Sequence, residues 1–327
     1  MSINIPPVYQ ITPEMVDLIS KINANLIYLS AIDLPEELSD KLQRNSILKS
    51  SLFSARIEGN TLTLEAVNNQ NEETDEKKEV FNLLKAIQFI QQSINFSSSI
   101  TTKTILDIHQ LVMTNLYSEN GFREASSAIF NQAGVAVYIT PAPAKVPELI
   151  KLLLKYSNSD NEKFPIINAF ISHLIFEKIH PFLDGNGRVG RLLIFTILKS
   201  KQNNNHFFIP FEEYLDTHRQ DYYYHLDQGL KYTNDYLLFM LNAFYQQTEN
   251  TKRLIEEELR KDQPLLTPRQ EEILNIIQDQ RIVSFVQIKR RFMSIPARTL
   301  SYDLKKLMNM KLVAKIGKTK GSYYQKI

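Results

Sequence analysis

The chain of 327 residues contains no cysteine. Neither disulfides nor thiolate zinc sites can therefore hold its fold, which suits a reducing cytoplasm. Glycine is scarce, with nine in the whole chain. No apolar run approaches the roughly 20 residues that span a bilayer, so no membrane segment is expected. The opening MSINIPPVYQ lacks a basic stretch followed by an apolar one, and no secretory signal is read there. The chain also lacks a G-x-x-x-x-G-K-[ST] phosphate loop, an H-E-x-x-H zinc helix and any internal repeat. What is present is an ordinary core-forming composition, 43% hydrophobic, with 18 Phe and 15 Tyr. A cytoplasmic protein with more than one compact unit is the expectation.

The net charge of +2 hides an asymmetry. Residues 261–327 carry 14 Lys and Arg against 5 Asp and Glu, a net of +9, which leaves −7 for the rest. A basic tail beside an acidic body points to a polyanionic partner for the tail, DNA among the candidates.

Helical spacing dominates the first two thirds. Leu38, Leu42, Leu48, Leu52 and Ala55 recur at whole helical turns, and Gly59 supplies a stop. Residues 76–94 and 101–115 read as two further amphipathic helices. The segment 163–180 reads as a buried helix with Pro165 in its first turn, and a second buried helix starts near Asn186. Between these elements, 128–147 combines β-branched and aromatic residues with three prolines, the pattern of a short hairpin. Residues 68–79 are polar and read as a loop or an exposed helix end. We divide the chain into an N-terminal helical region (1–100), a core (101–246), a charged helical linker (247–264) and a C-terminal domain (265–327). In the last, Thr267-Pro268 opens one helix. Helices near 285–292 and 296–312 follow, then two short strands joined by KTKG. Three helices and a basic wing describe a winged helix-turn-helix, with the third helix as the candidate groove reader and Arg290, Arg291, Arg298, Lys305 and Lys306 as phosphate contacts.

Three of the nine glycines fall within six residues, in the run His180 to Arg191, HPFLDGNGRVGR. Gly185, Asn186 and Gly187 stand before a helix, where several N–H groups and the helix dipole can meet one anion. Arg188 and Arg191 share a face one turn inside that N-terminus. Cations are disfavoured there, a penalty that a bound polyphosphate would remove. Asp184 adds a carboxylate that can hold Mg²⁺ against phosphate oxygens. His180 is the one evident general base nearby. Such a set meets the needs of phosphoryl or nucleotidyl transfer.

This run resembles the Fic signature, H-P-F-x-[DE]-G-N-G-R-x-x-R, at every position. Eight fixed positions match by chance with odds on the order of 10⁻¹⁰ per start site. The likeness extends to Gly121-Phe122-Arg123, to 135–147 and to Arg219-Gln220-Asp221-Tyr222-Tyr223, covering about residues 40–245. It implies a mainly α fold: a Fic-type helical core with a hairpin flap, here followed by the winged helix. It also implies adenylyl transfer from ATP to a Ser, Thr or Tyr hydroxyl of a protein target, another protein or a second copy of this chain. By resemblance, His180 takes the hydroxyl proton and Asp184 holds Mg²⁺. Gly185, Asn186 and Gly187 cradle phosphates with backbone amides, while Arg188 and Arg191 grip the β- and γ-phosphates. Val189 and Gly190 complete the nucleotide-binding run, Tyr222 or Tyr223 lines the adenine pocket, and Val137, Tyr138 and Ile139 pin the target segment by strand addition.

Ser54-Ala55-Arg56-Ile57-Glu58-Gly59 resembles the family's inhibitory motif, [ST]-x-x-x-E-[GN]. A carboxylate near a helix C-terminus opposes the dipole, a cost that a buried arginine partner offsets. The resemblance makes Arg191 that partner, so that Glu58, with Ser54, keeps the γ-phosphate from its place. His173 reads as a core or supporting residue, and His109, His206, His218 and His225 receive no functional reading. Three rivals stand beside the transferase: removal of AMP with Glu58 positioning a water, use of another nucleotide donor, and a nucleotide-sensing transcriptional regulator. A homodimer is a further expectation.

Overall fold

A computed structural model gives the architecture and describes residues 3–68, 74–116, 121–130, 136–202, 208–260, 266–317 and 322–327. It divides into two compact units, one of residues 1–32 and 43–256, the other of residues 33–42 and 257–327. No helix among the described residues is long and apolar enough to cross a membrane.

The first unit opens with α1 (Pro13–Ala31), capped by the Thr12 side chain and with proline at its first position. Met15, Ile19, Ile22, Leu26 and Leu29 form its buried stripe, a helix our sequence reading passed over. Helix α2 (Glu36–Ile57) runs from the second unit into the first. Its buried face carries Ile47, Ser50, Ser51 and Ser54 as well as Leu52 and Ala55, whereas the expected Leu42 and Leu48 are only half-buried. Helix α3 (Leu64–Asn68) is a single turn. Helix α4 (Asp75–Ser93) starts on the Thr74 cap, so the polar stretch 74–79 forms its first turn, and residues 69–73 lie outside the described set.

Helix α5 (Thr102–Met113) begins with a Thr101 capping box. Strands β1 (Ala128–Phe130) and β2 (Ala136–Ile139) pair antiparallel, with Ala128 opposite Ile139 and Ile129 opposite Tyr138. The connection 131–135 and the Val137 side chain lie outside the described residues. Helix α6 (Val146–Ser157) follows a single 3₁₀ turn.

Helices α7 (Pro165–Ile179) and α8 (Asn186–Lys201) form the centre of this unit. Every residue of α7 from Ile166 to Ile179 is buried, which explains why its sequence is apolar on all sides. Helices α9 (Glu212–Thr217) and α10 (Arg219–Gln228) and all but the last four residues of α11 (Thr233–Arg260) complete the unit. Helix α11 runs unbroken through 246/247, because no glycine or proline interrupts it.

The second unit holds α12 (Pro268–Gln280), β3 (Ile282–Ser284), α13 (Phe285–Arg291), α14 (Ala297–Asn309), β4 (Val313–Ile316) and β5 (Tyr323–Lys326). The sheet has three antiparallel strands in the order β3-β5-β4, not two, because the short IVS run between helices pairs with β5. Ile273, Ile277, Val283, Ile288, Leu300, Leu304, Leu307 and Val313 make its core. Asp303 is buried among them and bonded to Arg269 and to Gln270 Nε2 (3.1 Å).

Candidate active site

The turn between α7 and α8 is built from two left-handed residues. His180 caps α7 at φ +50°, ψ +61°, and its N–H still donates to Phe176 O (2.9 Å). Such a conformation costs a non-glycine residue roughly 1–2 kcal/mol, so other contacts must hold it. Arg123 supplies them: its guanidinium donates to the carbonyls of His180 (2.7 Å), Ala125 (2.9 Å) and Pro141 (2.6 Å), and its N–H to Pro181 O (2.9 Å). At the other end Gly185 has φ +83°, and a Cβ there would lie 2.7 Å from Met113 Sδ. Glycine is required on both counts. Asn186 closes the loop with its side chain, accepting from Phe182 N (2.9 Å) and donating to Phe182 O (2.8 Å). His109, to which our sequence reading gave no role, stacks on Phe182 at 3.7 Å and bonds Asp184 O through Nε2 (3.0 Å).

The carboxylate of Glu58 comes up beside the first turn of α8, next to Gly187. A Cβ on Gly187 would fall 2.3 Å from Glu58 Oε1. Glu58 directly follows α2, whose end is closed by Gly59 at φ +106° with Asn60 N donating to Ala55 O (3.2 Å) and Gly59 N to Arg56 O (3.0 Å). This is the glycine-closed C-terminus that a left-handed residue permits. Glu58 therefore lies one residue beyond the helix proper rather than within its last turn. Tyr223 fixes the same end by donating to Ile57 O (3.0 Å).

Arg191 is 1% exposed and bonded to Ser54 of α2 and to Glu58 just beyond it. Its Nε donates to Ser54 Oγ (2.9 Å), and its Nη2 donates to Ser54 O (2.8 Å) and to Glu58 Oε1 (2.9 Å). Burial alone would lower the Arg191 pKa; the Glu58 carboxylate, and beyond it Tyr222, Tyr223 and Glu177, hold it above its ordinary value. Arg188, 6% exposed, donates to Glu79 Oε1 (2.7 Å) and Asp184 Oδ1 (3.0 Å). Its Nε is buried without a partner. Both arginines thus meet carboxylates where the sequence reading expects phosphates. Val189 is a buried core residue of α8.

His180 Nδ1 is buried without a hydrogen bond. Burial lowers the ring's pKa, Arg123 adds to this, and the nearby Glu177 carbonyl opposes it. The imidazole is therefore neutral at pH 7 and able to accept a proton. Behind it lies a second buried group. Glu177 is 5% exposed, has an unpartnered Oε1 and is pushed up to about 8 by burial. Gly190 leaves room for it, since a Cβ there would lie 2.0 Å from Glu177 Oε1 and 3.0 Å from His173 Nδ1. His173, wholly buried, bonds the Tyr222 hydroxyl through Nε2 (2.9 Å) and is pushed down to about 3 by burial.

A cavity of about 870 Å³ joins these groups, lined by Glu58, His180, Gly187, Arg191, Tyr223 and Ile129 among others. Tyr222 also borders it but is 1% exposed, and its hydroxyl is spent on His173. The β1–β2 hairpin reaches the rim: Ile139 is 79% exposed, and Lys178 Nζ sits 4.7 Å from the Tyr138 ring. The outer edges of this two-stranded sheet pair with no strand among the described residues.

The Asp184 side chain is 59% exposed, and the contacts from Gly185 N (2.6 Å) and Arg188 both fall on Oδ1. Among the described residues no three carboxylates, histidines or cysteines converge as a metal cage. A lone exposed carboxylate fits a Mg²⁺ that takes its other ligands from phosphates and water, and it does not fit a cation held by protein alone.

The fold and this turn define a Fic-type helical domain. Residues 99–198 match the Fic/DOC family, and the chain carries that domain. It is similar to "Protein adenylyltransferase Fic" of Drosophila erecta, 30% identical over 182 residues, 52% of this chain and 36% of that protein. The Drosophila willistoni protein of the same name is 28% identical over 192 residues, 55% of this chain and 37% of its own length. The chain thus spans about a third of the length of these relatives. Among solved structures, a Fic family protein from Desulfovibrio desulfuricans G20 shares the fold over 98% of both chains, with TM-score 0.66 and 22% identity. Fic-1 from C. elegans shares it over 75% of this chain and 72% of its own, with TM-score 0.59 and 20% identity.

Proposed function

We propose that this protein is a protein adenylyltransferase that moves AMP from ATP to a Ser, Thr or Tyr hydroxyl, and that Glu58 restrains it. The observation that carries the proposal is one carboxylate doing a phosphate's work. Glu58 Oε1 lies against the first turn of α8 and on Arg191, the two features that suit an anion there. An ATP triphosphate laid along Gly185–Gly187 would claim the same guanidinium and the same space beside Gly187, so γ-phosphate and Glu58 exclude each other.

With the triphosphate in place, the neutral His180 ring accepts the proton of the target hydroxyl. The hydroxyl oxygen then bonds to the α-phosphorus as the bond from that phosphorus to the bridging oxygen breaks. AMP stays on the target, pyrophosphate leaves, and the imidazolium returns its proton to solvent. Arg188 and Arg191 meet the charge that develops on the leaving pyrophosphate. Asp184 is the residue that would hold Mg²⁺, whose positive charge neutralises phosphate oxygens when bound. Strand β2, with Tyr138 and Ile139 beside Val137, offers an edge unpaired among the described residues for an extended target segment.

The C-terminal unit we read as a winged helix-turn-helix, with α13 and α14 as its two helices and β4–β5 as its wing. Incubation with labelled ATP and Mg²⁺ tests the main reading. Glu58→Gly should label itself or added protein far more strongly than wild type, and Glu58→Gly with His180→Ala should label nothing. Equal labelling by all three chains overturns the assignment.

A further inference from the structure

The second unit carries a surface that the transfer reaction does not use. From Phe285 to Gly317 the chain has eight Lys and Arg and a single carboxylate, Asp303. Asp303 is 1% exposed and committed to Arg269 and Gln270, so it faces no partner. This stretch therefore contributes positive charge and no exposed acid of its own. Lys289 is turned inward, its Nζ donating to the carbonyls of Phe292 and Met293 (3.1 Å each). Arg290, Arg291, Arg298, Lys305, Lys311 and Lys315 are exposed.

The charge is organised on a helix. Leu300, Asp303, Leu304 and Leu307 seat α14 in the core, leaving Arg298, Ser301, Tyr302 and Lys305 exposed on the opposite face. Their spacing of three, four and seven places them in one row. Every one ends in a hydrogen-bonding group, and the outermost two lie about 10 Å apart along the axis, close to three base-pair steps at about 3.4 Å each. A helix about 10–12 Å across fits the major groove of B-form DNA, about 12 Å wide. The deep, narrow major groove of A-form RNA does not admit it. Helix α13 and the short turn Phe292–Pro296 precede α14 as a first helix precedes a reading helix. Lys315 on β4 flanks it, where a phosphate backbone would pass.

We infer that α14 binds duplex DNA in the major groove through Arg298, Ser301, Tyr302 and Lys305, with the surrounding basic residues on the phosphates. The inference rests on the C-terminal unit alone and stands or falls independently of the transferase reading.

Fluorescence anisotropy of the full chain with a labelled 20-base-pair duplex of random sequence tests it, at 50 and 200 mM salt. The expected result is micromolar binding at low salt that weakens at least tenfold at the higher salt, since each phosphate contact releases a counterion. Arg298→Ala with Lys305→Ala should weaken low-salt binding at least fivefold and flatten the salt dependence. Arg298→Lys with Lys305→Arg should keep that dependence. All these positions are exposed, so the variants should melt with wild type. The inference is overturned by no salt-dependent binding by wild type, by binding of the alanine variant equal to wild type, or by equal affinity for duplex RNA or for phosphatidylserine vesicles. A loss of binding accompanied by a lower melting temperature in the alanine variant also overturns it, because α14 would then be a structural helix.

Discussion

Replacing Glu58 by glutamine separates charge from shape at the contact that we propose restrains the enzyme. Oε1 of Glu58 accepts from Arg191 at 2.9 Å and rests against Gly187 in the first turn of α8. A hydrogen bond to a charged group contributes about 1.5–3 kcal/mol, and a carboxylate at a helix N-terminus adds about 0.3–1 kcal/mol. The Glu58 side chain is 31% exposed, so solvent screening holds the sum near the lower part of that range, roughly 2–3 kcal/mol. An incoming γ-phosphate must give up this amount before it can bind. Removing the contact in Glu58→Gly should thus tighten ATP binding by about 30- to 140-fold at 1.4 kcal/mol per decade. Glu58→Gln can still accept from the Arg191 guanidinium through its uncharged amide oxygen, a bond of about 1 kcal/mol without the ion-pair attraction. Its gain should be smaller, about 5- to 30-fold. Calorimetry with ATP and Mg²⁺ on chains that also carry His180→Ala measures binding without turnover. Glutamine equal to wild type would show that shape alone blocks the site. Glutamine equal to glycine would show that the hydrogen bond to Arg191 contributes nothing. Either result refutes the electrostatic account.

Other consequences follow from the buried groups. Glu177 has a pKa of about 8 in the fold against 4.5 as the ordinary value, so the native state holds its proton more tightly than the unfolded chain. Its contribution to stability is intact below about pH 4.5 and declines as pH rises towards 8. Glu177→Gln should therefore melt with wild type near pH 5 and several degrees above it at pH 8.5, as scanning calorimetry would show; a constant difference across pH counts against the burial argument. Gly190→Ala places a methyl 2.0 Å from Glu177 Oε1 and should cost about 1–3 kcal/mol as overpacking. Glu177→Ala in the same chain should recover part of that loss, and strict additivity in denaturant melts would contradict the contact. Arg123→Ala strips bonds from the carbonyls of His180, Ala125 and Pro141. It should lower kcat at least tenfold in a Glu58→Gly background with little change in KM for ATP; unchanged kcat would mean that His180 keeps its geometry unaided.

Much of the local architecture of the candidate site was legible in the order of residues because its physics is local. A glycine-rich turn between two apolar helices, with arginines one turn in, is a statement about neighbours in sequence, and α7, α8 and the turn between them lie where the pattern puts them. The mainly helical core and the hairpin follow from periodicity in the same way. Helix α1 was readable too, from the Thr12-Pro13 start and its four-three spacing, and was missed. Strand β3 was not, because three residues carry no period until β5 pairs with them.

The sequence by itself determined which groups are available: an imidazole, a carboxylate, an amide-rich helix start and two arginines within twelve residues. Tertiary structure alone decided what each of them faces. Arg191 meets Glu58 across 133 residues and Arg188 meets Glu79 across 109, while His109 props the turn from 75 residues away. Chain order does not encode such pairings, because a buried charge takes whichever partner the packing of helices brings within hydrogen-bond reach. Residue types set the chemistry that is possible, and packing set which anion the site now holds.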